Sequence, residues 1–235
     1  MAMPLRKRRF GIGGGREVSG LLALPDSEPF SDTVVILAHG AGNDMSNPLL
    51  SAVHTGLAAQ GYPTVKFNFP YKERGGRAPD PTKVLESCWR HVLEAVQADR
   101  EIGAKRIVIG GKSMGGRMAS HVAAQGADVA GLVFLGYPLH PPGKTHQLRT
   151  AHLPNIKAPM LFFAGTRDSL CNLDLLKNTI SGLEAPVTLH VIEGGDHSFK
   201  VLKSMQRDEA DVCNELVSVT ADWLKKSAGS ASKAK

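Results

Sequence analysis

Gly111-Lys112-Ser113-Met114-Gly115 follows the apolar run Ile107-Val108-Ile109 and opens into a stretch patterned as a helix, so the chain here reads strand, sharp turn, helix. A serine with glycine two residues away on each side can occupy a strained backbone conformation, because side chains at the flanking positions would collide. Its hydroxyl then stands clear of the sheet. This is the pattern of a nucleophile elbow. Two competing glycine-loop readings fail on the residues themselves. A phosphate loop ending in Gly111-Lys112-Ser113 needs glycine at 106, where Arg106 stands. Gly11-Ile12-Gly13 lacks the third glycine of a dinucleotide fingerprint, since Arg16 occupies that place.

The chain has 235 residues, 42% of them hydrophobic, enough for one substantial core. We expect a single domain over 16–226, preceded by a basic, glycine-rich segment, 1–15, and followed by a flexible polar tail, 227–235. The formal charge of +6 belongs to the ends: Arg6, Lys7, Arg8 and Arg9 precede the first expected strand, and Lys225, Lys226, Lys233 and Lys235 close the chain. Setting those eight cations aside takes +6 to −2. A basic groove for nucleic acid is therefore not expected. The early basic run is followed by glycines, Arg16 and Glu17 rather than an apolar export segment, and no run reaches membrane-spanning length. Cys88, Cys171 and Cys213 are odd in number and widely spaced, which argues against a disulfide framework and a structural zinc site. A cytoplasmic protein with no membrane partner is the expectation.

Residues 16–24 and the continuous apolar run Thr33 to Ala38 read as strands, the second buried on both faces. A helix is expected from Asn47-Pro48 to Gly61, then a strand from Pro63 to Phe69. Asp80-Pro81 repeats the cap-plus-proline start, and Val84, Leu85, Cys88, Trp89, Val92, Leu93 and Val96 form one apolar stripe before Gly103. Strands at 105–110, 130–135, 159–164 and 187–192 follow, with helices after the elbow, over 170–182 and at the end. This alternation implies an α/β fold with a mostly parallel sheet and helices on both faces.

A serine hydroxyl needs a base to take its proton and a carboxylate to orient that base. Ligand-facing groups of a parallel sheet gather beyond the carboxyl ends of its strands. The loop Tyr137 to Ala158 contains no Asp or Glu, so the first available acid is Asp168, which follows Met160-Leu161-Phe162-Phe163-Ala164 through Gly165-Thr166-Arg167. Its plain alternative is a helix cap for Ser169 and Leu170. His190 lies inside a strand pattern, whereas His197 follows Glu193-Gly194-Gly195-Asp196 on the loop after it. The order Ser113, Asp168, His197 suits this architecture. The backbone N–H groups of Met114 and of Ala41, in His39-Gly40-Ala41-Gly42, are the expected oxyanion donors. Tyr71, His140 and Pro141 are candidate substrate contacts. Lys112 reads as a solvated lysine before it reads as an attractor of acidic substrates. His140, His146 and His152 lack the spacing and partners of a metal site, so no metal is expected.

With His-Gly-Ala-Gly, Gly-Lys-Ser-Met-Gly, Gly-Thr-Arg-Asp and Gly-Gly-Asp-His in this order, the chain resembles the α/β-hydrolases over nearly its whole length. More narrowly, Asn68-Phe69-Pro70-Tyr71-Lys72-Glu73-Arg74-Gly75, Gly111-Lys112-Ser113-Met114-Gly115-Gly116-Arg117 and Tyr137-Pro138-Leu139-His140-Pro141-Pro142-Gly143-Lys144 resemble the KANL3/Tex30-like branch, grouped with dienelactone-hydrolase-like proteins. Dienelactone hydrolases use cysteine at the elbow where this chain has Ser113, so a lactone substrate is not implied. The branch also includes a scaffold subunit that does not hydrolyse. No insertion after strand 130–135 is long enough for a large lid domain.

The reading of the sequence is thus a serine hydrolase acting on a small-molecule carboxylic ester or related acyl bond, without a cofactor. The rival readings are a non-catalytic interaction module that keeps the fold, and a serine peptidase. The oligomeric state is not legible.

Overall fold

The computed structural model describes residues 5–26 and 30–231. Eight strands form one sheet: β1 (Leu5–Gly11), β2 (Glu17–Ala23), β3 (Thr33–Ala38), β4 (Thr64–Phe67), β5 (Arg106–Lys112), β6 (Gly131–Leu135), β7 (Met160–Gly165) and β8 (Val187–Ile192). Their order across the sheet is β1-β2-β4-β3-β5-β6-β7-β8. β1, β2 and β4 pair antiparallel, and every pairing from β4 to β8 is parallel. Six helices connect them: α1 (Pro48–Ala59), the short α2 (Pro70–Glu73), α3 (Thr82–Ala98), α4 (Met114–Ala124), α5 (Leu173–Ser181) and α6 (Glu209–Ala231). The mostly parallel α/β sheet with helices on both faces is as the alternation implied.

All six residues of β3 are buried, because alternate side chains enter opposite cores. Val34, Ile36 and Ala38 join Trp89, Met118, Phe134 and Phe162 on the side of α3 and α4. Val35 and Leu37 join Val108, Leu135, Phe163, Leu216 and Trp223 on the side of α1 and α6. The apolar stripe read in α3 is the buried face of that helix, from Leu85 to Val96. The connection from β6 to β7 contains one short 3-10 turn, Leu153–Asn155, and no separate lid domain.

Local start signals meet mixed outcomes. Asn47 caps α1, its side chain accepting the N–H of Leu50 at 3.1 Å. Asp80 does not cap α3, which begins at Thr82 after Pro81; its carboxylate is held by Arg74 instead. α5 begins at Leu173 under Asn172, whose side chain accepts from Leu175, three residues later than expected. α6 runs to Ala231, so residues 227–231 are helical rather than tail, while 232–235 lie outside the described residues.

The cations of residues 6–9, expected to precede the first strand, lie within β1. β1 pairs with β2 along all seven of its residues, from Leu5 opposite Ala23 to Gly11 opposite Glu17. Its apolar signal is hidden because Phe10 is its one buried residue, with Ile12 buried just beyond it. Carboxylates substitute for apolar contacts: Glu101 pairs with Arg6 and Arg8, and Glu17 and Glu73 pair with Arg9. Charged side chains on an outer strand also oppose edge-to-edge association.

Two histidines are enclosed in the neutral state. His39 and His54 are fully buried, and burial pushes both down to about 4. The unfolded chain binds these protons below pH 6.5 while the folded chain refuses them, so stability is complete above 6.5 and falls with pH down to about 4. The expected loss by pH 4 is roughly 3 kcal/mol for each histidine. Urea unfolding at pH 7 and pH 5 checks this; equal stability at the two values would contradict neutral burial.

Candidate active site

The β5–α4 turn places Ser113 at φ 49° and ψ −115°, a left-handed conformation that a residue with a side chain adopts only where its surroundings hold it. Backbone crowding explains the glycines around it. A Cβ on Gly111 would lie 2.1 Å from the carbonyl oxygen of Ala38, and one on Gly115 would lie 2.3 Å from the same atom. Both values are impossible without moving β3. The turn is tied on two further sides: the Ser113 N–H donates to the Leu135 carbonyl at 3.1 Å, and the Trp89 indole N–H donates to the Gly115 carbonyl at 3.2 Å. Trp89 is fully buried and meets Phe67 edge-on, so α3 fixes the first turn of α4.

The ends of β7 and β8 are brought together in the same manner. A Cβ on Gly165 would lie 2.2 Å from the carbonyl oxygen of Gly195. The Arg167 N–H donates to that carbonyl at 2.8 Å, and the Gly194 N–H donates to the Thr166 hydroxyl at 2.8 Å. This docking carries Asp168 and His197 to one rim. His197 Nδ1 is 2.8 Å from Asp168 Oδ2, and His197 Nε2 is 2.8 Å from Ser113 Oγ. Nδ1 must therefore donate to the carboxylate, which leaves Nε2 to accept the hydroxyl proton. Asp168 is 7% exposed, and its other oxygen accepts the Leu170 N–H at 2.8 Å. It anchors its own loop as well as the imidazole, while Asn172 caps the following helix. His190 bonds Glu215 and takes no part.

Opposite the serine, His39 links two strand exits. Its Nε2 accepts the Phe69 N–H at 3.1 Å, so its Nδ1 is the protonated nitrogen and donates to the Gly40 carbonyl at 2.9 Å. This brace requires the neutral ring. Ala41 is exposed at the tip of that loop, and Met114 opens α4, where first-turn N–H groups have no partner within the helix. Tyr71 lies beneath the loop, 1% exposed, with its hydroxyl 3.5 Å from the Gly40 carbonyl and 3.4 Å from that of Asn43. It supports the loop from below. His140 is 3% exposed, and both its nitrogens are engaged, with the Pro141 carbonyl and the Asn172 N–H. It borders a polar cavity of about 390 Å³ beside Asp168. Pro141 bears the carbonyl that also accepts the Lys144 N–H, closing a turn.

A larger groove of about 560 Å³ opens between α1 and the start of α6. Asn43 of the His39 loop and Ser198 and Phe199, directly after His197, line it together with Leu49, Ala52 and Val212. Its walls were not legible in the sequence, because they come from three segments far apart in the chain. Lys112, expected in solvent, is buried; burial pushes its ammonium down to about 8 against the opposing pull of Asp168 and Asp196. Among the described residues, no group of three or more His, Cys, Asp or Glu side chains is arranged to hold a metal ion, and no helix is long and apolar enough to cross a membrane.

Comparison with known proteins places the fold. A family model described as an alpha/beta hydrolase domain matches residues 31–225. An alpha-beta serine hydrolase homologue from Coxiella burnetii superposes with a TM-score of 0.73 at 20% identity, covering 92% of this chain and 98% of that one. A dienelactone hydrolase from Anabaena variabilis gives 0.75 at 19% identity, covering 95% and 98%. A serine hydrolase without lid from Xanthomonas campestris gives 0.72 at 18% identity, covering 95% and 96%. At such identities the likeness is one of fold.

Gly115→Ala tests the crowding at the elbow. The added methyl meets β3 backbone that cannot rotate away, and the expected destabilisation is about 3 kcal/mol. Gly182→Ala serves as the control, since a Cβ there would lie 3.7 Å from its nearest neighbour. Thermal unfolding of both variants is the measurement; equal melting temperatures would contradict the crowding.

Proposed function

The chain belongs to the alpha/beta hydrolase family, and we propose that it is a serine hydrolase cleaving a carboxylic ester or related acyl bond through an acyl-enzyme. The observation that carries this reading is the unbroken chain Asp168 to His197 to Ser113, closed by two contacts of 2.8 Å at a strained turn. Ser113 Oγ attacks the carbonyl carbon while His197 Nε2 takes its proton. Asp168 holds Nδ1 and stabilises the imidazolium that forms. The oxyanion is received by the N–H groups of Ala41 and Met114. His197 then protonates the departing alkoxide. Water, deprotonated by His197 in its turn, attacks the acyl-enzyme and releases the acid and Ser113. No cofactor enters these steps.

The groove beside Phe199 is assigned to the apolar portion of the substrate, since Leu49, Ala52, Phe199 and Val212 give it apolar wall beside the charged Lys200 and Glu209. Its volume suits short to medium acyl esters. The motifs at Asn68–Gly75, Gly111–Arg117 and Tyr137–Lys144 support placing the chain in the KANL3/Tex30-like branch as part of the same reading. Its three free cysteines suit a reducing compartment, and we place it in the cytoplasm.

A fluorophosphonate probe reports the activated serine without knowledge of the substrate. The wild type is expected to label at Ser113, Ser113→Ala to lose the label, and His197→Gln to label at least about 100-fold more slowly. Equal labelling of wild type and Ser113→Ala would remove Ser113 from the chemistry. A panel of acyl esters, with Ser113→Ala as control, then gives the chain-length preference.

A further inference from the structure

One tight turn after β8 carries both the candidate base and a wall of the groove. The Asp196 N–H donates to the Lys200 carbonyl at 3.1 Å, closing the turn on itself, and the Phe199 N–H donates to the Asp196 carbonyl at 2.9 Å. The Asp196 carboxylate accepts the Ser198 N–H at 2.7 Å and the Lys200 N–H at 3.0 Å. Within this frame Phe199 takes a φ of 61°, a left-handed conformation in which a bulky residue is an outlier. Such strain persists only where the surroundings hold the residue. Here the turn presents His197 to Ser113 and sends Phe199 into the core, where it is 2% exposed.

Behind that ring stands a charge. Lys112 pairs across the sheet with Leu135 and alternates with Val108 along β5, and both of those side chains pack on the side of α1 and α6. Lys112 therefore projects from the same face as Phe199, the face on which the groove opens. It is 7% exposed, and its Nζ is buried without a hydrogen-bond partner among the described residues. That nitrogen lies over the Phe199 ring, 5.9 Å from its centre, within reach of a cation–π contact. Phe199 lines the groove and Lys112 does not, so the ring separates the ammonium from the cavity. The two charged residues that do line it, Lys200 and Glu209, pair with each other at 3.5 Å.

A carboxylate carried into an apolar groove is costly unless a cation or water meets it. With the ring in place, Lys200 is already paired and Lys112 is screened. We propose that Phe199 is a specificity-determining residue: its ring closes the acyl groove against the Lys112 ammonium and so restricts the site to acyl groups without a terminal charge. The inference rests on the serine hydrolase reading given above, and adds to it the class of acyl group that the groove accepts. Removing the ring would let a carboxylate on the acyl chain reach an ammonium that has no other hydrogen-bond acceptor to give up.

The experiment compares kcat/KM for two 4-nitrophenyl esters of matched chain length, the hexanoate and the monoester of adipic acid, whose acyl chain ends in a carboxylate. Wild type is expected to favour the hexanoate by about 100-fold or more. Phe199→Gly and Phe199→Asn remove the ring while suiting the left-handed backbone, and each is expected to lower that preference by at least about 10-fold. Adding Lys112→Met to either variant is expected to abolish the gain on the adipate ester. Melting temperatures show which variants are folded. A wild type that cleaves both esters alike overturns the role of Phe199 without any variant. So does a folded variant that keeps the wild-type preference, or a gain that survives Lys112→Met, and in each case the hydrolase reading stands because ester is cleaved. A wild type that cleaves neither ester also overturns the inference, and fluorophosphonate labelling then decides whether the hydrolase reading falls with it.

Discussion

The site depends on how closely the backbones of adjacent strands approach where they leave the sheet. Ala38 at the end of β3 lies against Gly111 and Gly115, and Gly195 lies against Gly165, at separations that no side chain survives. These contacts are steric and unforgiving, so they set positions to within a fraction of an ångström. The hydrogen-bonded chain Ser113–His197–Asp168 needs that tolerance, since both its links are 2.8 Å and a displacement of 1 Å would break either. Sheet geometry supplies precision that flexible loops could not.

Around this frame, buried polar groups hold the loops. His39 joins the exits of β3 and β4 through a donor and an acceptor on one neutral ring, Tyr71 supports the Gly40–Asn43 turn, and Trp89 fastens α4 to α3. Each of these hydrogen bonds is modest, about 1 kcal/mol, but each buried group would be costly if left unpaired. Among the described residues, Lys112 Nζ and Arg117 Nε are exceptions, buried without a hydrogen-bond partner.

The sequence was most informative where chemistry and backbone conformation coincide. The glycines flanking Ser113, and the acid and histidine following later strands, identified the elbow and the two side chains that meet it, because strand-end placement follows from the topology of a parallel sheet. The six-residue apolar run of β3 and the stripe of α3 were equally direct. β1 was hidden because its partners are charges rather than apolar neighbours, and Glu101 is far from Arg8 in the chain. The burial of Lys112 was hidden for another reason: its neighbours Gly136, His197 and Phe199 come from other strand exits, and a lysine beside a glycine looks solvated when read locally. Tyr71 and His140 were recognised as near the site, but only the packing separates a side chain that faces substrate from one that supports the loop facing it.

The most direct measurement is a crystal structure of the protein after reaction with a phosphonate that mimics the tetrahedral intermediate. The expected result is phosphorus bonded to Ser113 Oγ, with the phosphoryl oxygen about 2.7–3.1 Å from the backbone nitrogens of both Ala41 and Met114, and with His197 still bonded to Asp168. Phosphorus on any other residue, or a phosphoryl oxygen directed away from both amides, would contradict hydrolysis at this rim.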